Sequence, residues 1–140
     1  MPQIVIDTSV FISALLSKKG AAYKLFLLLD SGLFRVNLSV PLVFEYESTA
    51  KRILDKTQIS MQDLEHILDY ICTVSNKKKI FFLWRTVLPD PGDDMVLELA
   101  VASGCDYIIS FNQKHFIGCE QFGIETVTPC EFLERIGRLQ

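Results

Sequence analysis

Three aspartates stand within five residues in the segment LPDPGDDMVLELAVASG, residues 88–104. Asp90 belongs to a Pro-Gly turn, and Asp93 and Asp94 open an apolar run that is typical of a buried helix. A single Asp here needs no more than a capping role, because its carboxylate accepts hydrogen bonds from unpaired backbone N–H groups and suits the helix dipole. Two adjacent carboxylates repel each other, so their spacing favours a site that holds a positive charge.

Other polar side chains stand at positions where chemistry is possible. Asp7 directly follows the apolar stretch IVI, and Asn112 follows YIIS. An acid at the end of a buried strand is costly unless it has a partner, although Asp7 could also cap the helix that starts at Thr8. Glu45 lies on a predicted helix together with Glu47. Periodicity alone leaves open which of these two glutamates points inward.

Short apolar segments alternate with longer amphipathic ones along the chain. Strands are predicted at IVI, FRVNLS, YIIS and IETV, with KIFFLW as a further candidate strand, and FRVNLS shows the alternation of a half-buried strand. Helices are predicted from start and stop residues at 8–17, 21–32, about 40–54, 60–74, 93–104 and 129–137.

This order of elements predicts an α/β fold with a central parallel sheet that is flanked by helices on both faces. In such sheets, ligands bind beyond the carboxyl ends of the strands. Asp7 and Asn112 follow strand ends, and Asp93 and Asp94 begin the helix that leads into YIIS. Glu45 lies on the helix after the second strand. These side chains, remote in sequence, are therefore expected to converge on one edge of the sheet.

Composition limits the class of protein. The 140 residues are 49% apolar and 22% charged, which predicts one ordered domain over residues 1–140. No apolar run has the length of a membrane span and no signal peptide is evident, so a cytoplasmic protein with no membrane role is expected. The net charge of −3 argues against a protein that coats nucleic acid, but it allows an enzyme that grips a nucleic-acid backbone locally.

The four cysteines and Glu98 are predicted to have structural roles. The four cysteines are scattered singly, which predicts buried or half-buried thiols and neither a zinc site nor a disulfide framework. Glu98 is expected to be a solvated or capping acid.

At the level of motifs, the chain resembles the PIN-domain ribonucleases, in particular the branch of toxins from toxin–antitoxin systems. The matching segments are IVIDTSVFISALLS, LSVPLVFEYESTAKR, DPGDDMVLELAVASGCDYIISFNQKHF and TVTPCEFLE, which occur in the family's order over essentially the whole chain. The resemblance implies a PIN-like three-layer fold. It also implies an acidic catalytic site, for which the matching positions are Asp7, Glu45, Asp93 with Asp94, and Asn112.

The resemblance further implies a divalent metal ion, Mg²⁺ or Mn²⁺, bound by these five residues. Such hard cations prefer carboxylate, amide and water oxygens, which the five side chains supply. Asn112 stands where the family usually has a carboxylate and Ser110 stands where a hydroxyl is usual. The neutral amide lowers the negative charge of the site, which leaves open whether one or two ions bind.

The expected function is metal-dependent endoribonuclease activity towards RNA, with an antitoxin protein as a cognate partner. The alternative is a non-catalytic PIN-fold module that binds protein or RNA. A phosphotransferase of the haloacid-dehalogenase type is less suitable, because it needs a second Asp where this chain has Ser9. The apolar segment LFLLL, residues 25–29, is consistent either with a homodimer interface or with the core of the domain.

Overall fold

A computed structural model of the protein describes residues 1–77 and 91–138. Among these, the side chains of residue 77 and residues 91–94 are not described. The candidate strand KIFFLW, residues 79–84, lies outside the described residues.

Strands and helices alternate as predicted. The strands are β1 (Gln3–Ile6), β2 (Arg35–Leu38), β3 (Asn76–Lys77), β4 (Tyr107–Ile109) and β5 (Glu125–Val127). The helices are α1 (Thr8–Leu16), α2 (Ala21–Leu27), α3 (Val40–Arg52), α4 (Met61–Val74), α5 (Pro91–Ala102) and α6 (Pro129–Arg135). Short 3-10 turns cover Leu54–Lys56, Gln113–Phe116 and Cys119–Phe122.

The described strands form a parallel sheet in the order β3-β2-β1-β4-β5. β1 lies at its centre, with Ile4 paired to Val36 of β2 and to Tyr107 of β4. Ile4, Val5 and Ile6 are fully buried, as expected of a central parallel strand that is covered on both faces. The predicted three-layer α/β fold is therefore confirmed.

β2 differs from its predicted half-buried pattern. Val36, Asn37 and Leu38 are all buried, so this strand is covered on both faces. The buried Asn37 amide is satisfied by hydrogen bonds: its Nδ2 donates to the Ile4 carbonyl at 3.3 Å, and its Oδ1 accepts from Asn76 Nδ2 at 2.9 Å. These bonds explain how a polar residue occupies a fully buried position that the alternation pattern assigned to the surface.

Helix boundaries follow local capping chemistry. Ser60 and Asp63 form a capping box at the start of α4, and Thr128 with Glu131 forms another at the start of α6. α2 ends at Leu27, earlier than the predicted Gly32, and Gly32 itself has φ +82°, a conformation that favours glycine.

Two predictions about buried groups need correction. Cys105 and Cys119 are buried and Cys72 is half-buried, but Cys130 is exposed, because it lies on the outer face of α6. Glu98, expected to be solvated, is only 9% exposed.

In the part of the chain that the structure describes, no helix combines the length and the apolar character needed to cross a bilayer.

Candidate active site

Asp7 is a buried acid at the carboxyl end of the central strand β1. Its Oδ1 accepts a hydrogen bond from the Thr8 N–H at 2.9 Å, which makes Asp7 the N-cap of α1. Its Oδ2 accepts from the Ser9 hydroxyl at 3.0 Å and from the Ser110 hydroxyl at 2.6 Å. Asp7 therefore caps α1, and it also accepts hydrogen bonds from two hydroxyl groups, which form a network around it.

This network leaves part of the carboxylate open. A carboxylate has about four lone-pair positions, and the three observed donors occupy two on Oδ2 and one on Oδ1. These three donors hold the Asp7 side chain in one orientation, and among the described residues none occupies the second acceptor position on Oδ1.

Ser110 connects Asp7 to the loop that carries Asn112. Ser110 is buried, and its hydroxyl oxygen also accepts the Asn112 N–H at 2.9 Å. Asn112 is exposed and precedes the 3-10 turn Gln113–Phe116. The hydroxyl at position 110 thus places the end of β4 beside the end of β1, which the pairing of Ile109 with Ile6 also requires.

The hydroxyl of Tyr46 is influenced by the charges of both Asp7 and Glu45. The Tyr46 hydroxyl donates to the Ile6 carbonyl, one residue before Asp7, and its ring stacks on Phe11 with centroids 4.7 Å apart. Burial raises the pKa of Tyr46 well above its ordinary value, and the nearby negative charges of Asp7 and Glu45 raise it further. Tyr46 therefore stays a neutral donor at physiological pH, and the charges of both acids act on its hydroxyl.

Glu47, the competing glutamate, has a different environment. Its carboxylate lies 3.7 Å from Lys51 Nζ, one helical turn later, in an exposed ion pair on the surface of α3. Glu47 thus has an ion-pair partner on the surface of α3, whereas Glu45 acts through its charge on the buried Tyr46 hydroxyl, as Asp7 does.

Asp93 and Asp94 lie in the first turn of α5. The helix ends at Ala102 and β4 begins at Tyr107, so this short connection lies at the amino-terminal edge of the sheet. Because α5 runs back along the sheet for about 18 Å, its first turn lies towards the opposite, carboxyl edge, where Asp7 lies. α5 also packs against β1, β4 and the turn Gln113–Phe116.

The side chains of Asp93 and Asp94 are not described. Among the side chains that are, no three from His, Cys, Asp and Glu come together as a metal site. The structure thus relates Asp7, Glu45 and Asn112 to one edge of the sheet, and it places the backbone of the two aspartates on the helix that leads to that edge.

The sequence patterns did not assign the residues that organise this edge. The Ser9 hydroxyl donates to the Asp7 carboxylate, and its oxygen accepts a hydrogen bond from the Phe111 N–H at 3.5 Å. Tyr46 was not singled out, although its position four residues after Leu42, which is also buried, identifies the inward face of α3. Its bond to Ile6 depends on tertiary packing and has no local sequence signal.

One of two comparisons with known proteins identifies the family of the chain. A search of the curated proteins found no match to the chain. A family model described as a PIN domain matches residues 3–114, which extend from β1 to the turn after Asn112. PIN domains are generally nucleases, and PIN-domain nucleases generally use divalent metal ions and bind RNA. Because the match covers well over half of the sequence, the chain belongs to the PIN-domain family.

Proposed function

We propose that this protein is a metal-dependent endoribonuclease that hydrolyses RNA phosphodiester bonds. The observation that carries the proposal is the Asp7 carboxylate, which is buried at the end of the central strand and oriented by the hydroxyls of Ser9 and Ser110. An acid used only as a helix cap needs the single bond from the Thr8 N–H. The two additional hydroxyls fix its direction, which a ligand requires and a cap does not.

The donor atoms fit a hard divalent cation. Asp7 and Glu45 supply carboxylate oxygens and Asn112 supplies an amide oxygen, which are ligands of Mg²⁺ and Mn²⁺. The acceptor position left on Asp7 Oδ1 suits one direct bond to such an ion. We expect Asp93 and Asp94 to complete the ligand set from the first turn of α5.

When bound, the ion would supply an activated water and charge stabilisation at the phosphodiester. The protein's own groups have the tasks of holding and orienting. Ser9 and Ser110 donate to Asp7, and these hydrogen bonds hold its carboxylate in one orientation. Tyr46 ties α3, and with it Glu45, to the end of β1.

The proposal extends to a biological role as the toxin of a toxin–antitoxin pair. Its support is the sequence resemblance to that branch of the family, and an antitoxin protein is the expected partner. Co-expression of the protein with the product of an adjacent small open reading frame should relieve growth inhibition that the protein causes alone.

A cleavage assay on single-stranded RNA tests the enzymatic proposal. We expect cleavage with Mn²⁺ or Mg²⁺ and none after chelation with EDTA. The non-catalytic alternative has one observation in its favour, because Asn112 is neutral where the family usually has a carboxylate. RNA binding without metal-dependent turnover would support that alternative.

A further inference from the structure

An aromatic side chain is exposed beside the candidate active site. Phe111 lies between Ser110, which bonds to Asp7, and Asn112, and 48% of its side chain is accessible to solvent. The open surface of this ring, next to the candidate active site, is available for a ligand.

Phe111 borders a cavity of suitable size. The cavity has a volume of about 370 Å³, and its lining is Phe111, Asn112, Gln113, Lys114 and His115. Ligand pockets commonly have about 300–1,000 Å³. Since Asn112 is a candidate metal ligand, a group in this cavity would be continuous with the site of hydrolysis.

The loop that carries Phe111 is held on both sides. On either side of Phe111, Asn112 and Ser110 are joined by a hydrogen bond, in which the Asn112 N–H donates to the Ser110 hydroxyl at 2.9 Å. Two residues after Phe111, the Gln113 side-chain amide donates to the Thr126 carbonyl at 3.2 Å and to Glu131 Oε1 at 2.9 Å. These bonds fix the loop before any ligand binds, so less entropy is lost on binding.

A cation lines the same cavity. Lys114 is exposed, and within the described residues it has no ion-pair partner. An exposed ammonium group of this kind can bind a phosphate. The cavity therefore combines an aromatic face with a positive charge, which are the two groups that bind a nucleotide of a single strand.

We infer that Phe111 stacks on one unpaired base of the RNA and that Lys114 contacts a neighbouring phosphate, so that together they form a nucleotide subsite next to the scissile bond. This inference rests on the proposed function. Beyond the proposed function, it requires that the RNA has an unpaired base at a fixed distance from the cleaved bond.

Abasic substitution tests the subsite directly. A short single-stranded RNA with one abasic nucleotide at successive positions is titrated in EDTA, and binding is followed by fluorescence anisotropy. For the wild type we expect one abasic position to weaken binding about tenfold. For Phe111→Ala we expect the intact RNA to bind about tenfold more weakly, with no further loss at that position, because the two changes remove the same contact.

Matched variants separate stacking from general damage to the protein. Phe122→Ala removes a ring of similar exposure, 39%, that does not line the cavity, and it should bind like the wild type. Phe111→Trp should restore binding and the abasic sensitivity. Lys114→Gln should reduce the slope of log K against log salt by about 0.7, the value for one phosphate contact on a single strand.

The possible results distinguish this inference from the proposed function. Equal binding by the wild type and Phe111→Ala, or an unchanged abasic loss in Phe111→Ala, would overturn the subsite, although metal-dependent cleavage by the wild type would still support the nuclease. Absence of both RNA binding and metal-dependent cleavage in the wild type would overturn both.

Discussion

At the scale of single residues, the network around Asp7 makes a testable statement about Ser110. Its buried hydroxyl donates to the Asp7 carboxylate at 2.6 Å, and a hydrogen bond to a charged group contributes about 1.5–3 kcal/mol. We expect Ser110→Ala to lower the free energy of unfolding by about 1.5–3 kcal/mol in urea titrations and to lower cleavage activity by about tenfold.

Ser103 provides a matched control. Its hydroxyl is also buried but has no hydrogen-bond partner in the described part of the chain, so Ser103→Ala should change stability by less than about 0.5 kcal/mol. If both substitutions cost the same, the bond between Ser110 and Asp7 does not stabilise the fold.

The two glutamates of α3 form a second matched pair. Glu45 directly precedes Tyr46, whose hydroxyl donates to the Ile6 carbonyl beside Asp7, whereas Glu47 pairs with Lys51 on the surface. We expect Glu45→Gln to reduce metal-dependent RNA cleavage by about 100-fold, since a ligand charge is lost. Glu47→Gln should retain wild-type cleavage and lose at most about 1 kcal/mol of stability. Comparable activity in the two variants would remove Glu45 from the site.

The doubled aspartate gives a third prediction. Ala100, which is fully buried, lies seven residues after Asp93 and so on the same face of α5. In the PIN-domain pattern that the chain resembles, an acid stands seven residues before a small residue packed near the sheet, which favours Asp93. We expect Asp93 to bind the metal directly and Asp94 to act through water or a neighbouring ligand. Asp93→Asn should then cost about two orders of magnitude in activity and Asp94→Asn about one, compared at saturating and at limiting Mn²⁺. The reverse ranking would exchange the two roles.

At the scale of elements, the capping box of α6 predicts a pH dependence of stability. The hydrogen bond from the Thr128 N–H lowers the pKa of Glu131 below its ordinary value of 4.5, and bonds from Thr128 and Gln113 side chains add to this. A carboxyl with a lowered pKa in the folded chain stabilises it above pH 4.5, and this contribution is lost as the pH falls through the lowered value.

Glu131→Gln should therefore melt about 1–3 °C below the wild type at pH 7, and the difference should disappear as the pH falls below 4.5. Glu134→Gln, on the same helix but outside the capping box, should show no such convergence. If the wild type and Glu131→Gln differ in melting temperature by the same amount at every pH, the charge of Glu131 does not stabilise the helix.

The elements differ in how far the sequence could predict them. β1 and the capping boxes at Ser60 and Thr128 follow from short local patterns, and the structure has all three. β3 has two residues, Asn76 and Lys77, and no apolar pattern. It pairs with β2, where Asn76 bonds to Asn37, so its position depends on a contact between residues 39 positions apart.

The same distinction applies to the candidate site. Asp7 could be found because an acid after a buried strand is unusual. Asn112 could be found because it follows the apolar segment YIIS. Glu45 could not be separated from Glu47 by periodicity, and the roles of Ser9 and Tyr46 depend on how α1, α3 and β1 pack together.

At the scale of the whole molecule, the segment LFLLL remains the basis for a predicted homodimer. Leu25 and Leu29 are buried in the core, which accounts for part of the segment, but Leu27 is 66% exposed. We expect a dimer in light scattering at tens of micromolar protein, and Leu27→Lys should shift it towards the monomer. Ile117→Lys, which changes an exposed apolar residue elsewhere, serves as the control. A monomeric mass for the wild type would contradict the dimer.

The central claim is that the buried carboxylate of Asp7 belongs to a metal-dependent ribonuclease site. The most direct measurement compares RNA cleavage by the wild type and Asp7→Asn, each with Mn²⁺ and with EDTA, after circular dichroism has shown that both are folded. We predict cleavage only by the wild type with Mn²⁺, because the Asn variant keeps the shape of the side chain and removes the ligand charge. Cleavage by Asp7→Asn at the wild-type rate, or by the wild type in EDTA, would contradict the claim.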